Sequence, residues 1–158
     1  MIEYVLNFYD IQEHNIVFKH PIKNQNQNYI NYYKLLYSNE IINLKYILID
    51  LKLTEYDLQI ENNNYNISIH NNNKLYDKLH NIESLILNTL NKSINKKITL
   101  SIKTDLMSRD VFYKFTKFPN IKQLYLKISG VWENTTNIGL VYKIYYNMST
   151  EKLSSINC

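Results

Sequence analysis

Residues 124–146, LYLKISGVWENTTNIGLVYKIYY, constrain the fold more tightly than any other stretch of the chain. Leu124, Leu126 and Ile128 alternate with Tyr125, Lys127 and Ser129. On the return, Leu140, Tyr142 and Ile144 alternate with Val141, Lys143 and Tyr145. A period of two means strand, and each strand then has one apolar face and one face mixing tyrosine with lysine. The polar centre at 133–137 supplies a turn, so the stretch predicts a β-hairpin with a longer loop. Both glycines of the protein, Gly130 and Gly139, and its only tryptophan, Trp132, fall inside it. Glycine within a strand marks a bulge or a close backbone approach, which predicts an irregularity at each of the two.

The remaining composition leans the same way. Alanine is absent while Ile, Leu and Tyr are abundant, so local preference favours strand over helix. A length of 158 residues suits one domain with a real core, read as residues 1–148 followed by a flexible polar tail at 149–158. The one cysteine, Cys158, forms neither an internal disulfide nor, alone, a zinc site, which predicts an intracellular, reducing compartment. Glu3 and Asp10 bracket a short apolar run unlike a secretory leader, and no run approaches the roughly 18 apolar residues that span a bilayer, so no membrane partner is expected. The weight of Asn, Ile, Lys and Tyr suggests an A+T-rich coding genome, as in many large DNA viruses, some protists and some bacteria. A viral source would place the protein in host cytoplasm or nucleus.

Further along the chain, strands are predicted at residues 3–11, 15–19, 29–37, 41–53, 56–60, 65–69 and 96–103. The strongest is 41–53, with Ile47, Ile49, Leu51 and Leu53 on one face and Tyr46, Asp50 and Lys52 on the other. Between 69 and 96 the period changes. Leu75, Leu79, Ile82, Ile86 and Leu90 form one helical stripe, Asn71 to Asn73 offer N-caps, and Asn91 offers a left-handed terminus, so a helix is expected over about 74–91. Residues 105–119 read as a short helix or crossing loop whose Phe112, Phe115 and Phe118 plug a core. The order predicts a β-rich α+β domain: an antiparallel sheet, a partly open barrel of oligonucleotide-binding (OB) type, with one amphipathic helix.

Enzyme signatures do not emerge. His14, His20, His70 and His80 lack metal-ligand spacing, and two glycines cannot build a Gly-rich phosphate loop. Asp50, Glu55, Asp57 and Glu61 read as solvated acids more readily than as a Mg²⁺ site. Neither catalytic residues, nor a metal, nor a cofactor is therefore expected. Charge is the better lead. Residues 1–91 hold 7 Lys against 10 acids, a net −3, whereas 92–158 hold 10 Lys and Arg109 against 4 acids, a net +7. Such a basic half is the electrostatic footprint of a phosphate-bearing partner, and it also suits an acidic protein. Single-stranded nucleic acid is held by lysines that track the backbone and aromatic rings on which bases stack. Tyr125, Lys127, Lys143 and Tyr145 share one face of the hairpin. Tyr32, Lys34, Tyr46 and Lys103 supply the same types elsewhere, and Trp132 is either a stacking residue at the rim or a plug at the hairpin end. Tyrosine is also a good strand former, so the same residues fit a sheet with no ligand. Lysine over arginine points to non-specific backbone contact.

The segment Ile128-Ser129-Gly130-Val131-Trp132-Glu133, followed by Gly139-Leu140-Val141-Tyr142-Lys143, resembles the terminal hairpin of small OB-fold-like single-stranded-DNA-binding-type proteins of large DNA viruses. Ile138 stands where that pattern places an aromatic. The resemblance implies a non-enzymatic, sequence-non-specific protein of viral DNA replication or recombination, binding DNA ahead of RNA. The alternative expectation is a structural or interaction subunit, of a virion or replication complex, that self-associates through exposed strand edges into a homo-oligomer.

Overall fold

The structure is a computed structural model, and it describes residues 4–23, 30–52, 58–61, 66–69, 72–107, 121–148 and 151–156. The expected stretches around Leu53, Glu55, Asp57, His70, Arg109, Phe112, Phe115, Phe118 and Cys158 lie outside the described residues. The hairpin is the longest feature: β9, Ile121–Glu133, runs antiparallel to β10, Asn137–Met148. Its turn is held by Asn134, whose side-chain oxygen accepts the N–H groups of Thr136 at 3.0 Å and Asn137 at 2.7 Å.

The apolar faces read from the sequence are the buried ones. Leu126 and Ile128 are fully buried, and Leu124, Leu140, Tyr142 and Ile144 nearly so. The register then slips by one residue. Val141 pairs with Gly130 but Tyr142 pairs with Ile128, so Ser129 is an extra, bulged residue. Bulging by one residue reverses the alternation beyond it. Val131 and Glu133 therefore face the core, and Trp132 turns to the same face as Tyr125 and Lys127. The irregularity expected at Gly130 is present. At Gly139, which pairs regularly with Trp132, it is not.

The bulge is also where the sheet divides. One edge of β9 pairs with β3, Asn31–Ser38, over residues 130–133, and with β5, Ile47–Asp50, over 125–128. Beyond Lys34, β3 leaves β9 and pairs with β1, Ile16–Phe18, on one side and β4, Asn43–Leu44, on the other. The strand β2, Ile22–Lys23, continues the β1 edge after Pro21, which cannot donate to a ladder. The result is a curled, open, strand-rich half-barrel, consistent with the OB-like architecture expected. It is mixed rather than wholly antiparallel. A short β8, Lys97–Ile98, pairs parallel with β10, and Leu6 bridges Ile49 in parallel. A separate hairpin joins β6, Leu58–Glu61, to β7, Asn66–Ile69.

Helix α1, Asn73–Ile94, fills the open side of the curl. All five stripe residues, together with Tyr76 and Leu87, join one core with Leu35, Tyr37, Ile47, Ile49, Leu126 and Ile128. Asn72 caps its start by accepting the Leu75 N–H at 3.0 Å. It ends one turn later than expected, on Asn95 at φ 51°, because Asn91 is occupied otherwise: its amide pairs with both the N–H and the C=O of Lys96.

Four further expectations are corrected. Of the strand expected at 3–11, the described residues 4–11 make none; apart from the Leu6 bridge, Phe8–Asp10 and Glu13–Asn15 form short 3₁₀ turns, anchored where Tyr37 donates its hydroxyl to the Asp10 carbonyl at 2.5 Å. The long strand at 41–53 breaks at Lys45-Tyr46 into β4 and β5, since β4 follows β3 away from β9. The strand at 96–103 stops after Ile98. Ile102–Met107 forms helix α2, with Ile102 and Leu106, four apart, both fully buried. Its first N–H groups are taken by the buried Glu83 carboxylate, at 2.9 Å from Ser101 and 3.3 Å from Ile102. The residues read as a flexible tail include β11, Glu151–Ile156, which pairs along the β10 edge left open beyond β8.

Neither glycine has a positive φ; both provide space. A Cβ at Gly130 would overlap the Tyr33 carbonyl oxygen and lie 2.6 Å from the Tyr32 ring. A backbone atom cannot step aside, so Gly130→Ala should destabilise by about 1–3 kcal/mol, the usual cost of overpacking, read as a lower urea midpoint. An unchanged midpoint would contradict the close approach. Glu83 gives a second prediction. Burial, stronger than the lowering effect of the Ser101 and Ile102 N–H groups, holds its carboxyl above the ordinary range. The native state then keeps the proton longer than the unfolded chain, and stability from this group is lost as pH rises from 4.5 through the folded value. Denaturant titrations of Glu83→Gln should lack this fall, so the variant's deficit shrinks with rising pH; a constant deficit would contradict it.

Candidate nucleic-acid interface

The sheet face opposite α1 carries eight of the nine residues picked from the sequence. Its centre is set by register. Tyr145 lies opposite Tyr125, Lys143 opposite Lys127, and on the other side Leu48 opposite Lys127 and Asp50 opposite Tyr125. Directly opposed lysines repel. The repulsion is relieved because Lys127 turns over the aromatic rings: its Nζ lies 3.7 Å from the centre of Tyr46 and 5.3 Å from that of Tyr145. The negative ring faces hold the ammonium in place. Lys143 is exposed; Tyr46, Tyr125, Lys127 and Tyr145 are half-buried. Leu48, 2% exposed, belongs to this same face and not to the main core, so the patch has an apolar floor.

Tyr125 sits beside the one acid of the cluster. Burial, then the Asp50 carboxylate, push its phenol above the ordinary range, and its hydroxyl donates to Gln123 at 2.7 Å. Asp50 is itself turned to the backbone, accepting the Lys52 N–H at 2.8 Å.

A second aromatic group lies on the far side of the bulge. Tyr32 pairs with Trp132, which pairs with Gly139. Each ring lies over a glycine. Tyr32 covers Gly130 and donates its hydroxyl to the Ser129 carbonyl at 3.0 Å, and the Trp132 indole rests where a Cβ of Gly139 would otherwise sit. Such rings restore packing that the missing side chains leave open. Trp132 is thus not a core plug. It is a half-buried ring on the tyrosine–lysine face. Lys34, opposite Gly130, is half-buried beside Tyr32. Ile138, in the expected aromatic position, is fully buried on the core face.

Lys103 does not belong to this face. It lies on α2 over the ring of Tyr76, at 5.8 Å, because the segment that was to place it on a strand is helical. Among the described residues no group of three or more His, Cys, Asp or Glu could hold a metal ion, and no helix is long and apolar enough to cross a membrane.

Sequence reasoning missed the polar lock behind Trp132. Glu133 is 7% exposed on the core face. Its carboxylate accepts from the Asn31 amide at 2.7 Å and the Tyr33 hydroxyl at 2.9 Å, and Lys96 Nζ stands 3.6 Å away. Burial opposes ionisation, but these three donors together hold the carboxyl below the ordinary range. Burial and the same carboxylate push the Tyr33 phenol up to about 12. The only signal was the bulge, which alone turns Glu133 inward. Glu133→Gln should cost about 1.5–3 kcal/mol at neutral pH, the range for hydrogen bonds to a charged group. A lowered folded pKa stabilises above the ordinary carboxylate range, and that gain fades as pH falls through the folded value. The variant's deficit, read from urea midpoints, should therefore shrink in acid; a deficit that grows there would contradict the ionised lock.

No family model, no curated protein and no solved structure matches the chain.

Proposed function

We propose that this protein binds single-stranded nucleic acid, DNA ahead of RNA, through the tyrosine–lysine face, without catalysis and without reading sequence. The observation that carries the reading is Lys127 held between the Tyr46 and Tyr145 rings, on a sheet face turned away from α1, with Tyr125 and Lys143 alongside. An ammonium already parked on ring faces can turn to a phosphate as a base takes its place on the ring, so one cluster serves both halves of a nucleotide. Tyr32, Trp132 and Lys34 form a second station of the same chemistry across the bulge. The net +7 of residues 92–158 supports attraction of a polyanion. The hairpin resemblance supports a role in viral DNA replication or recombination.

Titration of a fluorescently labelled oligothymidylate at low and moderate salt tests the reading. Three lysines, Lys34, Lys127 and Lys143, predict a slope of log K against log salt of about −2. Tyr145→Ala should weaken binding by about 1–3 kcal/mol for a lost stacking surface. Lys103→Glu, away from the face, should leave it little changed. Absence of binding at micromolar protein and low salt would sink the proposal. Equal losses from Lys103→Glu and Lys143→Glu would show net charge at work without a site.

A further inference from the structure

The other edge of the sheet carries a different feature. A groove of about 640 Å³ opens where the β1–β2 edge breaks at Pro21, between that edge and the last turns of α1. Five consecutive residues, Phe18 to Ile22, form one wall; Leu90 and Ser93 lie on the helix side. The size is within the range of ligand-binding clefts. Its polar helix residues are already satisfied: Thr89 and Ser93 donate their hydroxyls back to the Leu85 and Leu90 carbonyls. Tyr33, at its back, donates to Glu133. The groove thus offers apolar surface and no spare neutral polar side chain from these three. Its charged lining is of one sign. Lys19 and Lys34 supply it, His20 stands beside them, and among the described residues no carboxylate lines the groove.

Strand geometry adds a second requirement. Among the described residues β1 and β2 pair only with β3, so their outer edges stay open. Val17 and Ile22 on that edge are 47% and 59% exposed. An open edge with exposed apolar side chains invites an added strand.

We propose that this edge and groove dock an extended acidic peptide of a partner protein, one that alternates Asp or Glu with large apolar residues. The peptide backbone adds a strand beside β1 and β2. Every second side chain enters the groove against Phe18, Pro21 and Leu90, and the acids face Lys19 and the His20 ring. Charge complementarity selects this occupant: a second copy of the chain would bring the same basic edge against itself. Lys34 borders both the groove and the nucleic-acid face, and neither variant below alters it, so failure of one reading is distinguishable from failure of the other.

The test uses the intact chain and a fluorescein-labelled decapeptide alternating Glu with Leu and Phe, with a lysine-for-glutamate peptide as control. Two exposed positions are varied: Lys19→Glu reverses the charge, and Ser93→Trp fills the groove mouth. Saturable binding of the acidic peptide is expected, with amide shifts confined to residues 17–23 and 89–93. Each variant should weaken it at least about tenfold, a change of ~1.4 kcal/mol. Ser93→Trp should leave oligothymidylate binding unchanged. The proposal is overturned by no peptide binding, by equal binding of the lysine peptide, or by binding that neither variant alters. It is overturned as well if decanoate or oligothymidylate, and not the peptide, shifts residues 89–93.

Discussion

One extra residue at Ser129 decides which way the second half of β9 faces. Without it, Trp132 would point into the core and Glu133 to solvent. With it, the aromatic joins the tyrosine–lysine face and the acid enters the core, where Asn31, Tyr33 and Lys96 meet it. The bulge is possible because Gly130 has no Cβ to collide with the Tyr33 carbonyl. At the same point β3 parts from β9 and β5 takes over its edge. Curvature, the outer face and the buried lock therefore share one origin, a local increase in strand bend at a glycine.

The inner side follows from simpler rules. The α1 stripe is a continuous apolar face that only a sheet face could cover, and the alternating runs of β3, β5, β9 and β10 supply it. Glu83 shows what happens where the two meet. A carboxylate inside a core is unfavourable unless its oxygens are used, and here they close the free N–H groups at the start of α2. The same contact explains why residues 102–107 wind into a helix, although Ile98, Leu100 and Ile102 alternate as a strand would.

How much of this the sequence revealed follows from the range of the forces involved. Period and capping are local, so the hairpin, its buried set, the α1 stripe and the Asn72 cap were legible. The break at Lys45-Tyr46, the capture of Ser101 and Ile102 by Glu83, and the pairing of β11 depend on partners far along the chain. Lys103 was misplaced for that reason. The outer cluster was legible as residue types, but its geometry was not: Lys127 lies between Tyr46 and Tyr145 only because β5 and β10 flank β9 in this register. Trp132 needed the bulge, whose sign in the sequence was Ser129-Gly130 inside an alternating run.

The proposed function places nucleic acid on the face built by the bulge. Amide chemical shifts recorded while oligothymidylate is added test it most directly. Shifts should concentrate on residues 125–132 of β9, 139–145 of β10, Tyr32 to Lys34 and Tyr46 to Leu48, with α1 and α2 unaffected. Shifts confined to the helices, or to the β1–β2 edge, would contradict it.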